Sequence, residues 1–147
     1  MSQLFTIGFT GKSAETFFSL LRGSRVRRLI DVRLNNVSQL AGFSKRDDLR
    51  FFLRELCGAD YLHLPALAPT KPLLRAYRGG EMGWEEYSAR FIQLLACRGV
   101  ESELDPDVLK SGCLLCSEHQ PDFCHRRLVA EYFGSCMGRG FQIVHLV

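Results

Sequence analysis

The sequence lacks any apolar stretch longer than a strand, so no segment of it is suited to cross a bilayer as a helix. Its first residues also lack the basic stretch and apolar run of an export signal. Charge of one sign is scarce: 19 Lys and Arg against 16 Asp and Glu leave a formal net charge of +3, too mild to establish nucleic-acid binding by itself. There are no internal repeats, low-complexity runs or credible second-domain boundaries. Three phosphate-binding signatures are missing as well. Gly11-Lys12-Ser13 has the look of a P-loop's end, but that motif needs a glycine where this chain has Thr6. A cysteine-phosphatase loop needs an arginine six positions after its thiol, where Cys116 meets Asp122 and Cys124 meets Ala130. The three spaced glycines of the dinucleotide fingerprint are absent near the N-terminus.

What is present describes a globular protein. With 147 residues, 46% hydrophobic and 24% charged, the chain is long enough for one domain with a real core. Six cysteines (Cys57, Cys97, Cys113, Cys116, Cys124 and Cys136) in a chain with no export signal point to reduced thiols and a cytoplasmic protein. Cys57, Cys97 and Cys136 fall on or beside apolar helix faces and read as core residues.

Strand-like and helix-like segments alternate. Strands are expected at Leu4–Phe9, Leu29–Val32, Tyr61–Leu64, Cys113–Cys116 and Phe141–Leu146. Ser13 is placed to cap a helix burying Phe17, Leu20 and Leu21, and Ser44 to cap one running to Cys57 with Leu49, Phe52, Leu53 and Leu56 inward. A weak helix follows at Leu73–Tyr77, a long amphipathic one at Trp84–Arg98, and a last one at Cys124–Met137. The polar stretch Gly99–Ser111 reads as a surface connection. Alternation of this kind implies crossover connections, hence an α/β fold of three layers: a mostly parallel sheet of about five strands with helices on both faces.

Ligands of such sheets sit beyond the carboxyl ends of the strands. Four sequence-distant pieces should meet there: Thr10 and Gly11 after the first strand, Asp31 and Arg33 after the second, Cys116 and Glu118 after the fourth, and Cys124, His125 and Arg126 at the start of the last helix. A helix N-terminus beside Arg126 favours an anion. Cys124 in that setting is a candidate for a thiol of lowered pKa. Structural readings stand beside these: Asp31 with Arg33 or Arg126 as a buried ion pair, and Cys124 as a small apolar filler. Metal ligation finds less support. Cys113 and Cys116 are three apart in a strand and face opposite sides, and Cys116, Glu118, His119, Cys124 and His125 match no common zinc spacing. No metal and no particular cofactor is assigned.

In order along the chain stand Thr6-Ile7-Gly8-Phe9-Thr10, Asp31-Val32-Arg33, Gly42-Phe43-Ser44-Lys45, Tyr61-Leu62-His63-Leu64-Pro65, Cys116-Ser117-Glu118 and Cys124-His125-Arg126, with His145 near the end of the closing strand. By this set the sequence resembles the DUF488 family over almost its whole length. The resemblance implies a compact α/β domain, and the family's name records an unknown function. Many relatives place His or Tyr where this chain has Phe9, and Gly where it has Ala68.

Three functions are open at this point. The preferred one is an enzyme-like site for a small anionic or nucleotide-like ligand. Asp31 or Glu118 is its acid/base candidate, Cys124 or Cys116 its nucleophile, and His125 a further catalytic candidate, with Arg33 and Arg126 as anion contacts and Thr10, Gly11, Ser44 and Lys45 as further ligand-binding residues. The second is a nucleic-acid-associated module using the arginine clusters with Tyr77 or Trp84 as stacking groups. The third is a non-catalytic domain whose cysteines and histidines hold a metal or complete the core. The sequence assigns no membrane partner and no oligomeric state.

Overall fold

The computed structural model describes residues 2–37, 39–118, 120–136 and 141–147. Five strands, β1 (Gln3–Gly8), β2 (Arg28–Asp31), β3 (Asp60–His63), β4 (Gly112–Cys116) and β5 (Gln142–Leu146), form one parallel sheet in the order β3-β2-β4-β1-β5. The crossovers between them carry α1 (Ala14–Gly23), α2 (Arg46–Phe52), α3 (Lys71–Arg78), α4 (Trp84–Arg98), the short α5 (Val100–Glu103) and α6 (Pro106–Leu109), and α7 (His125–Cys136). This is the expected α/β architecture. No described helix is long and apolar enough to cross a membrane.

Side chains alternate along a strand, so each strand feeds two cores. On one face Phe5, Ile7, Leu29, Cys113 and Leu115 pack with Phe17, Phe18 and Leu21 of α1 and with Leu49 and Leu53 at α2. On the other, Leu4, Ile30, Leu114 and Cys116 pack with Phe91 and Leu95 of α4 and with Leu128, Val129 and Phe133 of α7. Cys113 and Cys116 thus face opposite sides, as strand periodicity requires.

Local departures from expectation have local causes. Ser13 caps α1, its hydroxyl accepting from the Thr16 N–H at 3.1 Å, whereas the cap position of α2 falls one residue past Ser44. Lys45 occupies the cap position of α2 without a side-chain capping bond, while Ser44 is buried and turned to Arg33. Beyond Phe52 the helix widens into a π turn over Leu53–Cys57. A π turn holds one residue more than an α turn, so the inward position passes from Leu56, which is 44% exposed, to the half-buried Cys57. Cys97 and Cys136, read above as core, are exposed. Cys97 stands two residues past buried Leu95, about 200° around the helix. The stretch Gly99–Ser111 is more than a surface link, since α5 and α6 bury Val100 and Leu109. Met137, the expected end of the last helix, lies outside the described residues.

Candidate functional site

The ends of β1 and β4 are locked together by backbone. Thr10 N–H donates to the Ser117 carbonyl at 3.1 Å, and the segment after β4 crosses directly over Gly8. A Cβ at Gly8 would lie 1.5 Å from the Glu118 carbonyl oxygen and 2.8 Å from Arg126 Nη1. Only glycine permits this crossing, and the crossing sets the position of the residues after Cys116.

At the tip of β2 a polar network closes on itself. Arg33 Nε and Nη2 donate to the two oxygens of Asp31 at 2.9 and 2.8 Å, and Arg33 Nη1 and Nη2 donate to the hydroxyl and carbonyl of Ser44 at 3.3 and 2.7 Å. The Tyr61 hydroxyl donates to Asp31 Oδ2 at 2.5 Å and itself accepts from Asn36 Nδ2 at 3.0 Å. Asp31 is fully buried. Burial disfavours the Arg33 charge, but hydrogen bonding and attraction to Asp31 outweigh it, holding the guanidinium above its ordinary pKa. Burial first, then Asp31, push the Tyr61 hydroxyl well up, so it stays a proton donor.

At the tip of β4 the arrangement is different. His125 Nε2 is 2.7 Å from the Val32 carbonyl oxygen, which can only accept, so Nε2 carries the proton. That leaves Nδ1 to accept; Cys116 Sγ lies beside the ring, 3.5 Å from Nδ1 and 3.8 Å from Nε2, and the ring of Phe91 packs against the imidazole in a T-shaped contact. Cys116 and Cys124 are 4% and 2% exposed. The Cys124 thiol donates to Cys116, and that bond is the main cause lowering the Cys116 pKa. Burial opposes it, while the Ser117 and Glu118 N–H groups and the charge of Arg126 add to it. Cys124, the donor, is pushed well above an ordinary thiol by that same bond and by burial. Of the two sulfurs, Cys116 is the one poised to ionise.

Arg126 braces this floor from behind. It is fully buried, with Nη1 donating to the Glu118 carbonyl at 2.5 Å and Nε to the Thr6 hydroxyl at 3.3 Å. The same Thr6 hydroxyl is hydrogen-bonded to His145 Nδ1, at 2.6 Å. Burial first, then the charge of Arg126, keep the His145 pKa below its ordinary value.

A cavity of about 660 Å³ opens beside these groups. Cys116, Ser117 and His125 form its floor, and Phe9, Leu34 and Leu74 supply apolar wall. Arg33, Lys71, Arg75 and Arg78 contribute positive charge, and no Asp or Glu lines it among the described residues. Lys71, Arg75 and Arg78 are exposed and take part in none of the ion pairs found among the described residues.

Of the sequence candidates, Arg33, Cys116 and His125 meet at the cavity, with Cys124 directly behind Cys116. Asp31 and Ser44 sit behind Arg33, and Arg126 is walled off beneath the loop it supports. Thr10, Gly11 and Glu118 are exposed but off the cavity wall, and Lys45 pairs with Asp48 at 3.7 Å. His119 lies outside the described residues. Sequence reasoning missed Phe9, Lys71, Leu74, Arg75 and Arg78 as site residues. The last four recur at helical spacing along α3, the one signal that would have placed them on a common face.

The family described as Domain of unknown function DUF488 matches residues 13–133. No curated protein and no solved structure matches the chain.

Proposed function

The chain belongs to the DUF488 family, and we propose that it is a thiol-dependent enzyme acting on a small anionic, nucleotide-like ligand. Cys116 is the nucleophile in this reading, and His125 Nδ1 takes its proton. The Val32 carbonyl fixes the imidazole tautomer, as an orienting carboxylate does in better-known triads. Lys71, Arg75 and Arg78 draw the anion in, Arg33 being neutralised by Asp31, and Phe9, with the Arg33 guanidinium over its ring, supplies apolar wall. The observation that carries the reading is the sharing of one cavity by an adjoining thiol–imidazole pair and three exposed cations, Lys71, Arg75 and Arg78, with no carboxylate lining it among the described residues. Less supports a nucleic-acid surface: Tyr77 stacks on Tyr87 at 4.4 Å and Trp84 packs edge-on against Phe123, so both candidate stacking groups are engaged internally.

Alkylation rates test it. Relative to a free thiol, Cys116 is expected to prefer anionic iodoacetate over neutral iodoacetamide by at least about tenfold, with exposed Cys97 as the internal reference. Replacing Arg75 and Arg78 with Ala should erase the preference. Equal preferences at Cys116 and Cys97, by peptide mass spectrometry, would remove the proposal.

A further inference from the structure

We propose that Cys116, Cys124 and His125 form a three-ligand site for one thiophilic divalent cation of the zinc class, with a fourth position facing the cavity. The three donor atoms are buried and lie within 4.8 Å of one another. For bond lengths of ~2.3 Å to sulfur and ~2.05 Å to nitrogen at a tetrahedral angle, sulfur and nitrogen stand about 3.5 Å apart and two sulfurs about 3.8 Å apart. Cys116 Sγ is 3.5 Å from His125 Nδ1, the tetrahedral spacing, and 3.8 Å from Nε2, so the imidazole turns on binding to aim the Nδ1 lone pair at the shared ion. Any remaining adjustment of the Cys124 sulfur is at most about 1.3 Å on these bond lengths.

The surroundings suit an ion. Ligating imidazoles commonly give their other ring N–H to a carbonyl or carboxylate, which fixes the ring and its lone pair. His125 does this with Val32. Cys116 and His125 both line the cavity, so the coordination shell is left open on that side and closed by protein on the other. Binding expels the thiol protons as both sulfurs ligate as thiolates. Two thiolates and one imidazole neutralise a divalent charge, and the cations around the cavity then favour an anion at the vacant position. The inference goes beyond the thiol enzyme, because nucleophile and ligand use the same sulfur. A bound ion masks Cys116, and it must leave before that thiol reacts.

The test uses full-length protein carrying Cys97→Ser and Cys136→Ser, which removes the exposed thiols, kept reduced and stripped of metal with a chelator. Titration with Co²⁺ should give thiolate-to-cobalt absorbance and tetrahedral d–d bands saturating at one equivalent per chain, displaced by Zn²⁺. Cys124→Ser should weaken Co²⁺ binding at least about a hundredfold. If that variant does not fold, as judged by circular dichroism, His125→Gln serves the same purpose. Zn²⁺ should also suppress iodoacetate labelling of Cys116. Absence of a thiolate band at one equivalent, or a band unchanged in the ligand variants, would overturn the metal site. The alkylation preference of the metal-free protein is read separately, so either proposal can fail alone.

Discussion

Two polar clusters stand side by side at the carboxyl ends of β2 and β4, and they are built on opposite plans. The Asp31–Arg33 network joins oppositely charged groups in a bidentate pair and closes with Ser44 and Tyr61. The Cys116–His125 cluster has no carboxylate, uses sulfur as its acceptor, and presents its reactive atoms to a cavity. A buried charge completely surrounded by partners holds structure, and breaking it exposes the cost of what is left unpaired. A buried thiol carries no such paired charge, and under the function proposed above its part is chemical rather than structural. The same end of the sheet thus carries a clasp and a proposed reactive cluster, in contact through the backbone of Val32.

The contrast breaks most visibly at Arg33. Arg33→Met leaves Asp31 buried without its cation and should cost about 3–5 kcal/mol in urea unfolding, with Asp31→Asn in the same chain restoring part of the loss. A loss under ~1 kcal/mol would mean the network is not a clasp. Gly8→Ala comes next. It drives a methyl into the Glu118 carbonyl and should cost about 3 kcal/mol, the upper end of overpacking, while lowering Cys116 labelling because the Ser117–Glu118 segment shifts. Cys116→Ser should stay within about 1.5 kcal/mol of wild type in stability yet lose the anion-preferring alkylation altogether, the reverse of the Arg33 result. Arg75→Ala with Arg78→Ala touches only exposed groups and should alter stability by no more than ~0.5 kcal/mol while removing the iodoacetate preference.

The smallest effect concerns pH. His145 has a folded pKa below the ordinary 6.5, so the unfolded chain binds its proton more readily. Its contribution to stability is present above about pH 6.5 and is lost as pH falls through the lower folded value. Arg126 and Arg127 oppose protonation there, and Glu131 and Asp122 favour it. Denaturant midpoints between pH 7.5 and 5 should therefore fall less steeply in His145→Gln; an unchanged slope would discount burial of His145 beside Arg126 as a source of the pH dependence.

Much of the fold was legible because the strands are short apolar runs separated by amphipathic helices, and Trp84–Arg98 was found to the residue. The π turn was not, since an inserted residue leaves no mark on periodicity until the register beyond it is seen. Ser44 carries a capping signal, yet α2 takes Lys45 as its cap position and Arg33 binds the Ser44 hydroxyl. At the site, sequence placed Cys116, Cys124 and His125 together but favoured Cys124 for its place at a helix start. Which sulfur donates and which accepts depends on the Ser117 and Glu118 N–H groups and on Arg126, whose convergence only the chain path reveals. Arg75 and Arg78 were visible as a pair of charges, but not the cavity they face.

The position of β1 has a consequence for how the protein is made. First in the chain, it lies inside the sheet, and both its neighbours come from the far end: β4 begins at Gly112 and β5 at Gln142. As the polypeptide leaves the ribosome, the apolar segment Leu4–Ile7 waits with both edges bare while residues 9–111 are synthesised. Pairing so distant in sequence is slow to form, and unpaired strand edges are prone to adhere to other chains. The nascent protein therefore passes through its most adhesive stage before the residues that will line its cavity have all been joined to it.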